Sequence, residues 1–352
     1  LQCLSVLRTS VRFHSSEISI LSRTARFFLK WLAAGVLTGG SGIFAYSVFR
    51  ADARLRNDEY YYWDWKLRIY CSLPFNALSR ITGGLASVYI PVWLRKPLIG
   101  TYVRTYNCRM DEAVIEDICA YQTFAAFFNR KLKTLLRPIS DASLVMSILF
   151  VSPADGIIVH CGKINNDKIE FVKGRHYSLE EFLGLSRVNA SEDGCDLYQM
   201  VIYLAPGNYH GFHAPAEWIT EYHIHHPGLL LSVRPNLLQR LPILFCLNER
   251  VVLNGQWKHG FFSMIAVAAS NVGDISIEGD SELPAKSNHF LRKDNSSLKN
   301  SFERIYSRGE KVGEFRLGSS IILIFEAPPT LKFAVKAGDN VRYGQSLIME
   351  DI

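Results

Sequence analysis

What the sequence lacks narrows the reading first. Its seven cysteines (residues 3, 71, 108, 119, 161, 195 and 246) include no Cys-x-x-Cys pair. That excludes a zinc ribbon, and an odd, scattered set argues against a disulfide-stapled scaffold, so they read mostly as small buried hydrophobes. There is no Gly-x-Ser-x-Gly elbow, which weighs against a serine hydrolase of the usual strand–turn–helix type. Acid is scarce at the front: Glu17 is the only acidic residue before Asp52. Charge is missing altogether from Trp31 to Phe49. At 48% hydrophobic and 20% charged, the chain is too apolar for a disordered protein, and it lacks the periodicity of collagen or a coiled coil.

The chain has 352 residues, enough for about two domains and an ample core. It opens on Leu1, and its natural start is expected upstream. The net charge of +6 is unevenly spread: residues 1–137 carry 19 Lys/Arg against 9 Asp/Glu, leaving 20 against 24 in 138–352. A basic front on a mildly acidic body suits a chain that meets anionic lipid at one end. It does not suit a nucleic-acid binder, whose charge would lie on the folded domain. Residues 1–30 are Arg- and Ser-rich and acid-poor, the make-up of a mitochondrial presequence. The uncharged 31–49 would form a helix roughly 28 Å long, about the thickness of a bilayer core, so one transmembrane span is expected there. Residues 50–110 are aromatic and basic, as in Tyr60-Tyr61-Tyr62-Trp63-Asp64-Trp65, and read either as a membrane-proximal segment or as helices packed on the main domain.

Residues 111–352 read as the main domain. Val114, Ile115, Ile118, Tyr121, Phe124, Phe127 and Phe128 recur at helical steps before Pro138. After Ser140 come short apolar runs between turns, at 147–151, 157–161, 199–205, 262–269 and 320–326, which predict strands. Residues 278–301 are polar and patternless, a predicted surface loop. The tail from Phe333 to Leu347 alternates and turns at Gly338 and Gly344, as a hairpin does. The expected fold class is α+β, with an N-terminal transmembrane helix and helical segment followed by a β-rich core.

Three segments place reactive side chains among these strands: Ser152-Pro-Ala-Asp155-Gly156, Tyr209-His210-Gly-Phe-His213-Ala-Pro215, and Leu317-Gly318-Ser319-Ser320. Singly, each has a plain alternative. Asp155-Gly156 is a common turn, His210 and His213 are a metal pair or surface polar groups, and Gly318-Ser319 is a strand opening. Together they supply an acid, an imidazole and a hydroxyl, the set that turns a weak serine into a nucleophile.

With Phe127-Phe-Asn-Arg130-Lys-Leu-Lys133-Thr-Leu-Leu-Arg137-Pro138, Leu247-Asn248-Glu249-Arg250-Val251 and Ala269-Ser-Asn271-Val272-Gly273, these segments stand in the order found in the phosphatidylserine decarboxylases. The chain resembles the mitochondrial inner-membrane branch of that family over roughly residues 105–350. The resemblance implies a proenzyme that cuts itself by serinolysis between Gly318 and Ser319, with Asp155, His213 and Ser319 as the charge relay. Ser319 would become a covalent pyruvoyl group, the cofactor, which forms a Schiff base with phosphatidylserine and releases CO₂ to give phosphatidylethanolamine. His210 is the candidate proton donor; neither pyridoxal phosphate nor a metal is required. The β chain to Gly318 and the α chain of residues 319–352 would stay associated, in a homodimer, on a single-pass inner-membrane protein whose catalytic part faces the intermembrane space. Partners are membrane phospholipid, not nucleic acid. The chain departs from the family at three places: Ser320 replaces the usual Thr, Asn208 the common Asp, and Gly211 a frequent Arg. Two rivals are a membrane-anchored serine hydrolase using the same three residues without cleavage, and a non-catalytic membrane-anchored β module.

Overall fold

The structure is a computed structural model. It describes residues 40–42, 45, 65–133, 136–139, 150–164, 168–172, 175–185, 194–238, 241, 243–270, 275–280, 298–315 and 319–349. They fall into two compact units, one ending at Pro74 and the other running from Phe75 to Ile352. The predicted presequence and most of the predicted span lie outside the described residues. Residues 40–42 and 45 are helical, as is Trp65–Ser72 (α1). Among the described residues no helix is long and apolar enough to cross a membrane.

The second unit begins earlier than the expected boundary at residue 111. Phe75–Ala86 (α2) and Val92–Tyr106 (α3) belong to the same compact unit as the strands. Asn76 explains part of this, since its side-chain amide donates to the carbonyl of Gly228 at 2.9 Å and its oxygen accepts the N–H of Leu230. Tyr102 Oη likewise donates to the carbonyl of Pro206. The continuous helix expected from residue 111 onward is not formed. Among the described residues the helical pieces here are a 3₁₀ turn at Ile118–Ala120, the short helix Phe124–Phe128 (α4) and a 3₁₀ position at Leu136. The side chains of Asp117 and Thr123 each cap a backbone N–H two or three residues ahead, starting separate turns. A bridge between Ala113 and Leu132 holds the segment before them extended. The helical spacing of apolar residues instead serves a cluster in which Tyr121 and Phe127 pack with Ile90, Ile99 and Cys108.

The core is an antiparallel sheet of eight strands. In sequence order they are Gly156–Lys163 (β1), Asp196–Leu204 (β4), Trp218–His226 (β6), Arg250–Trp257 (β7), Gly260–Ala268 (β8), Leu298–Tyr306 (β10), Ser319–Ala327 (β12) and Asn340–Val341 (β13). Across the sheet the order is β10-β6-β7-β8-β12-β4-β1-β13. β12 lies near the middle and every one of its residues is buried, so it is covered on both faces. That accounts for the unbroken apolar run Ile321 to Phe325, where a half-exposed strand would alternate. A small sheet of Gly211–His213 (β5), Lys311–Phe315 (β11) and Ile275–Ile277 (β9) and a two-stranded ribbon of Lys168–Val172 (β2) and Arg175–Ser178 (β3) accompany it.

The predicted strands at 157–161, 199–205, 262–269 and 320–326 fall on β1, β4, β8 and β12. Two expectations need correction. Of 147–151 only the last two residues are described, and Val151 makes a single bridge to Ser346 where a strand was expected. The polar segment 278–301 is a loop only in part: residues 281–297 lie outside the described residues, and 298–301 already belong to β10, paired with β6. The tail turns at Gly338 (φ 96°) and Gly344 (φ 86°), left-handed positions that favour glycine. Its ends meet through a Phe333–Ile348 bridge, while its middle strand, β13, pairs with β1.

Candidate active site

The sheet register gathers one end of three strands. Leu204 on β4 pairs with Ser319, and Tyr203 pairs with both Ile157 and Ser320. Asp155, the residue before β1, therefore sits at the same sheet edge as Ser319, about two strand spacings or roughly 10 Å across. Gly156 is obligatory here, because a Cβ would lie 2.5 Å from the Tyr203 carbonyl oxygen. The second segment is tied to the first: His213 N–H donates to the Pro153 carbonyl at 2.8 Å, and Val151 N–H to that of Pro215. The third follows from β11, where Phe315 N–H donates to the His210 carbonyl at 3.0 Å. Residues 316–318, Gly318 among them, lie outside the described residues, and Ser319 resumes within roughly 14 Å of Phe315.

The side chains are placed as follows. Ser319 Oγ is fully buried and has no hydrogen-bond partner among the described residues. His213 is held at both nitrogens. Nδ1 donates to the Gly309 carbonyl at 2.9 Å, which fixes the tautomer, and Nε2 accepts from Tyr209 Oη at 3.1 Å. Burial lowers its pKa to about 4, so the ring is neutral and basic at neutral pH. Asp155 does not bond to His213 in this conformation. One carboxylate oxygen accepts from Arg137 at 2.7 Å and the other from the backbone N–H of Tyr343 at 2.8 Å. The same Tyr343 stacks its ring on His213, centroids 3.8 Å apart, and its hydroxyl reaches the Gly309 carbonyl. Burial raises the Asp155 pKa, and the Arg137 charge and the Tyr343 N–H oppose that. Arg137 also holds Glu112 at 2.6 Å.

His210 is fully buried with its ring 4.2 Å from that of Phe128. Nδ1 donates to the Asn208 carbonyl, Nε2 has no partner among the described residues, and burial lowers the pKa to about 3. At neutral pH it must gain a proton before it can donate one. Among the described residues no group of three or more metal-binding side chains comes together.

The family model described as "Phosphatidylserine decarboxylase" matches residues 124–349, the whole region that carries these segments. The chain belongs to the phosphatidylserine decarboxylase family. It is 51% identical to the "Phosphatidylserine decarboxylase proenzyme, mitochondrial" of Caenorhabditis elegans over 339 residues, 95% of this chain and 87% of that protein. It is 42% identical to the protein of the same name from Cricetulus griseus, over 80% of this chain and 74% of that one. To "Phosphatidylserine decarboxylase proenzyme 1, mitochondrial" of Saccharomyces cerevisiae it is 32% identical over 81% of this chain and 74% of that one.

Membership gives the departures a setting. At Asn208 it is the backbone carbonyl that meets His210, so the side chain can vary. At Gly211 a Cβ would lie 2.1 Å from Tyr209 Oη, and its absence lets the phenol fold back onto His213. Arg137, Tyr209 and Tyr343 received no role from the sequence. The first two lie inside recognisable segments, but Tyr343 follows Asp155 by 188 residues and meets it only because β13 returns to the edge of β1.

Proposed function

We propose that this chain cuts itself between Gly318 and Ser319 and then decarboxylates phosphatidylserine to phosphatidylethanolamine in mitochondria. The observation that carries the reading is the buried Ser319 Oγ, without a hydrogen-bond partner among the described residues, at the head of a central strand, at the end of the sheet where the Asp155 segment is fastened to the His213 backbone through Pro153. For the cut, neutral His213 accepts the Ser319 proton at Nε2 after that nitrogen gives up Tyr209, and Oγ attacks the Gly318 carbonyl. The peptide C–N bond is exchanged for an ester. Loss of the α-proton then expels the Gly318 carboxylate and leaves dehydroalanine. Water hydrolyses this to the ketone, and its nitrogen leaves as ammonia. Asp155 supports the positive charge developing on His213 through Tyr343, which touches both.

The site fits a pyruvoyl group made from residue 319. Residues 319–327 pair with β4 on one side, and 319–325 pair with β8 on the other, so the short chain stays in the sheet after cutting. A pyruvoyl group at residue 319 would supply an electrophilic carbonyl for the substrate amine and a sink for the electrons released with CO₂. His210 Nε2, with its free lone pair, takes a proton from the substrate ammonium and returns it to carbon. A presequence over 1–30 and a span over 31–49 would tether this core as a single-pass inner-membrane protein with the catalytic part in the intermembrane space, as a homodimer. The exposed residues Leu78, Ile81, Leu85, Val92 and Trp93 on α2 and α3 give the unit an apolar face suited to a bilayer. The serine-hydrolase rival finds no support among the named relatives.

The test is direct. The purified chain should convert phosphatidylserine in mixed micelles to phosphatidylethanolamine, and Ser319→Ala should remain one uncut, inactive polypeptide. Ethanolamine lipid made by Ser319→Ala overturns the proposal.

A further inference from the structure

A cleft of about 330 Å³ opens beside the catalytic histidines, lined by Arg109, Glu112, Arg130, Asp155 and Arg342 among others. Its two carboxylates, Glu112 and Asp155, are both bonded to Arg137, and Glu112 also reaches Arg109 and Arg342. Arg130 is different. It is 97% buried by its 3% exposure, yet it makes no ion pair among the described residues. One terminal nitrogen donates to the carbonyls of Gly207 (2.8 Å) and Asn208 (3.4 Å), and the guanidinium lies over the Phe127 ring. Among the described residues Nε and the other terminal nitrogen have no partner. A buried guanidinium with two idle donors and no counter-charge is costly, and it persists where something outside the chain completes it.

Resting on the decarboxylase reading above, we propose that Arg130 binds the phosphodiester of the phospholipid headgroup. The idle Nε–H and Nη1–H groups are charged donors of the kind that phosphate oxygens accept from. Arg130 and His210 both donate to the Asn208 carbonyl, and the Arg130 charge is felt at His210, so an anion here lies next to the reacting end of the headgroup. Phosphatidylserine offers a carboxylate as well. Its charge must flow out as CO₂ leaves, and a cation clamped on it would stabilise the ground state more than the transition state. The phosphate keeps its charge from substrate to product, so binding there holds the lipid without penalising the chemistry.

The experiment uses the matured enzyme and Arg130→Met, Arg130→Gln and Arg130→Lys, with self-cleavage as the check that each variant is folded. The probes are phosphatidylserine in mixed micelles, short-chain phosphatidylethanolamine (phosphate but no carboxylate) as competitor, and inorganic phosphate. Expected for Met and Gln are an increase on the order of 10- to 100-fold in KM, an equal weakening of phosphatidylethanolamine competition, and kcat within threefold. Arg130→Lys, with the charge but without the guanidinium's several fixed donors, should fall between. Inorganic phosphate should compete weakly with wild type and less with Arg130→Met. Loss of substrate affinity with unchanged phosphatidylethanolamine affinity makes the carboxylate the bound group and overturns the proposal. So does tight inorganic phosphate binding with unchanged lipid kinetics, which makes this a free-anion site, and so do lipid constants that none of the variants moves. A wild-type enzyme that makes no phosphatidylethanolamine defeats the decarboxylase reading instead, so the two failures are told apart.

Discussion

Arg137→Met tests the electrostatics behind the cut most severely. Arg137 is buried, with 5% of its side chain exposed, and bonds Glu112 at 2.6 Å and Asp155 at 2.7 Å. Methionine fills similar space and removes the charge, leaving two buried carboxylates with one fewer cation. Breaking a buried pair in this way costs about 3–5 kcal/mol. Part of that is recovered when a carboxyl takes up a proton, at about 1.4 kcal/mol per unit of pKa shift. A net loss of roughly 2–4 kcal/mol at pH 7.5 is expected. The sign with pH follows from the direction of the shift. The Asp155 pKa is already raised by burial, and loss of Arg137 raises it further. A carboxyl that binds protons more tightly folded than unfolded destabilises the fold above its folded pKa and ceases to do so below it. The stability gap between variant and parent should therefore narrow from pH 7.5 to pH 5. Urea unfolding on a Ser319→Ala background, where no cut complicates the transition, measures both quantities. A variant as stable as its parent at pH 7.5, or a gap that widens on acidification, would refute the reasoning. With Asp155 holding its charge less firmly, self-cleavage of the otherwise native Arg137→Met chain should also slow at neutral pH.

Two further outcomes are expected. Gly211→Ala places a methyl where Tyr209 Oη lies and should expel the phenol from His213 Nε2; losing one hydrogen bond of about 1 kcal/mol should speed self-cleavage several-fold, and slower cutting in time courses of fresh translation product would show that Tyr209 assists the base. His210, His213 and His226 have folded pKa values of about 3, 4 and 3, below the ordinary histidine value. Since the unfolded chain then binds more protons, urea titrations should show stability falling by roughly 3.5 kcal/mol between pH 6 and pH 5, about 1.2 kcal/mol for each ring, and a flat profile there would contradict their neutral burial.

The sequence disclosed the strands well, because their apolar runs are short and bounded by turn residues. β12 was plain from its uninterrupted Ile321 to Phe325, the mark of a strand covered on both faces. The helix expected after residue 111 was misread. Apolar residues three and four apart also arise when an irregular segment lays aromatic rings on one cluster, and the capping oxygens of Asp117 and Thr123 decide against a continuous helix. In the candidate site, Asp155, His210, His213 and Ser319 stand out in the sequence because their residue types carry chemistry and their segments are distinctive. What joins them does not. The partners of Asp155 are Arg137 and a backbone N–H from the C-terminal tail, and His213 is fixed by a carbonyl at Gly309. Backbone donors and acceptors have no residue signature, and the Tyr343 contact depends on a pairing across the sheet edge.

The most direct measurement of the central claim is the mass and N-terminal chemistry of the smallest polypeptide in purified, active protein. The account predicts a fragment beginning at residue 319 that resists Edman degradation and carries a ketone in place of its first amino group. A full-length chain with an intact serine at position 319, in protein that still produces phosphatidylethanolamine, would contradict it.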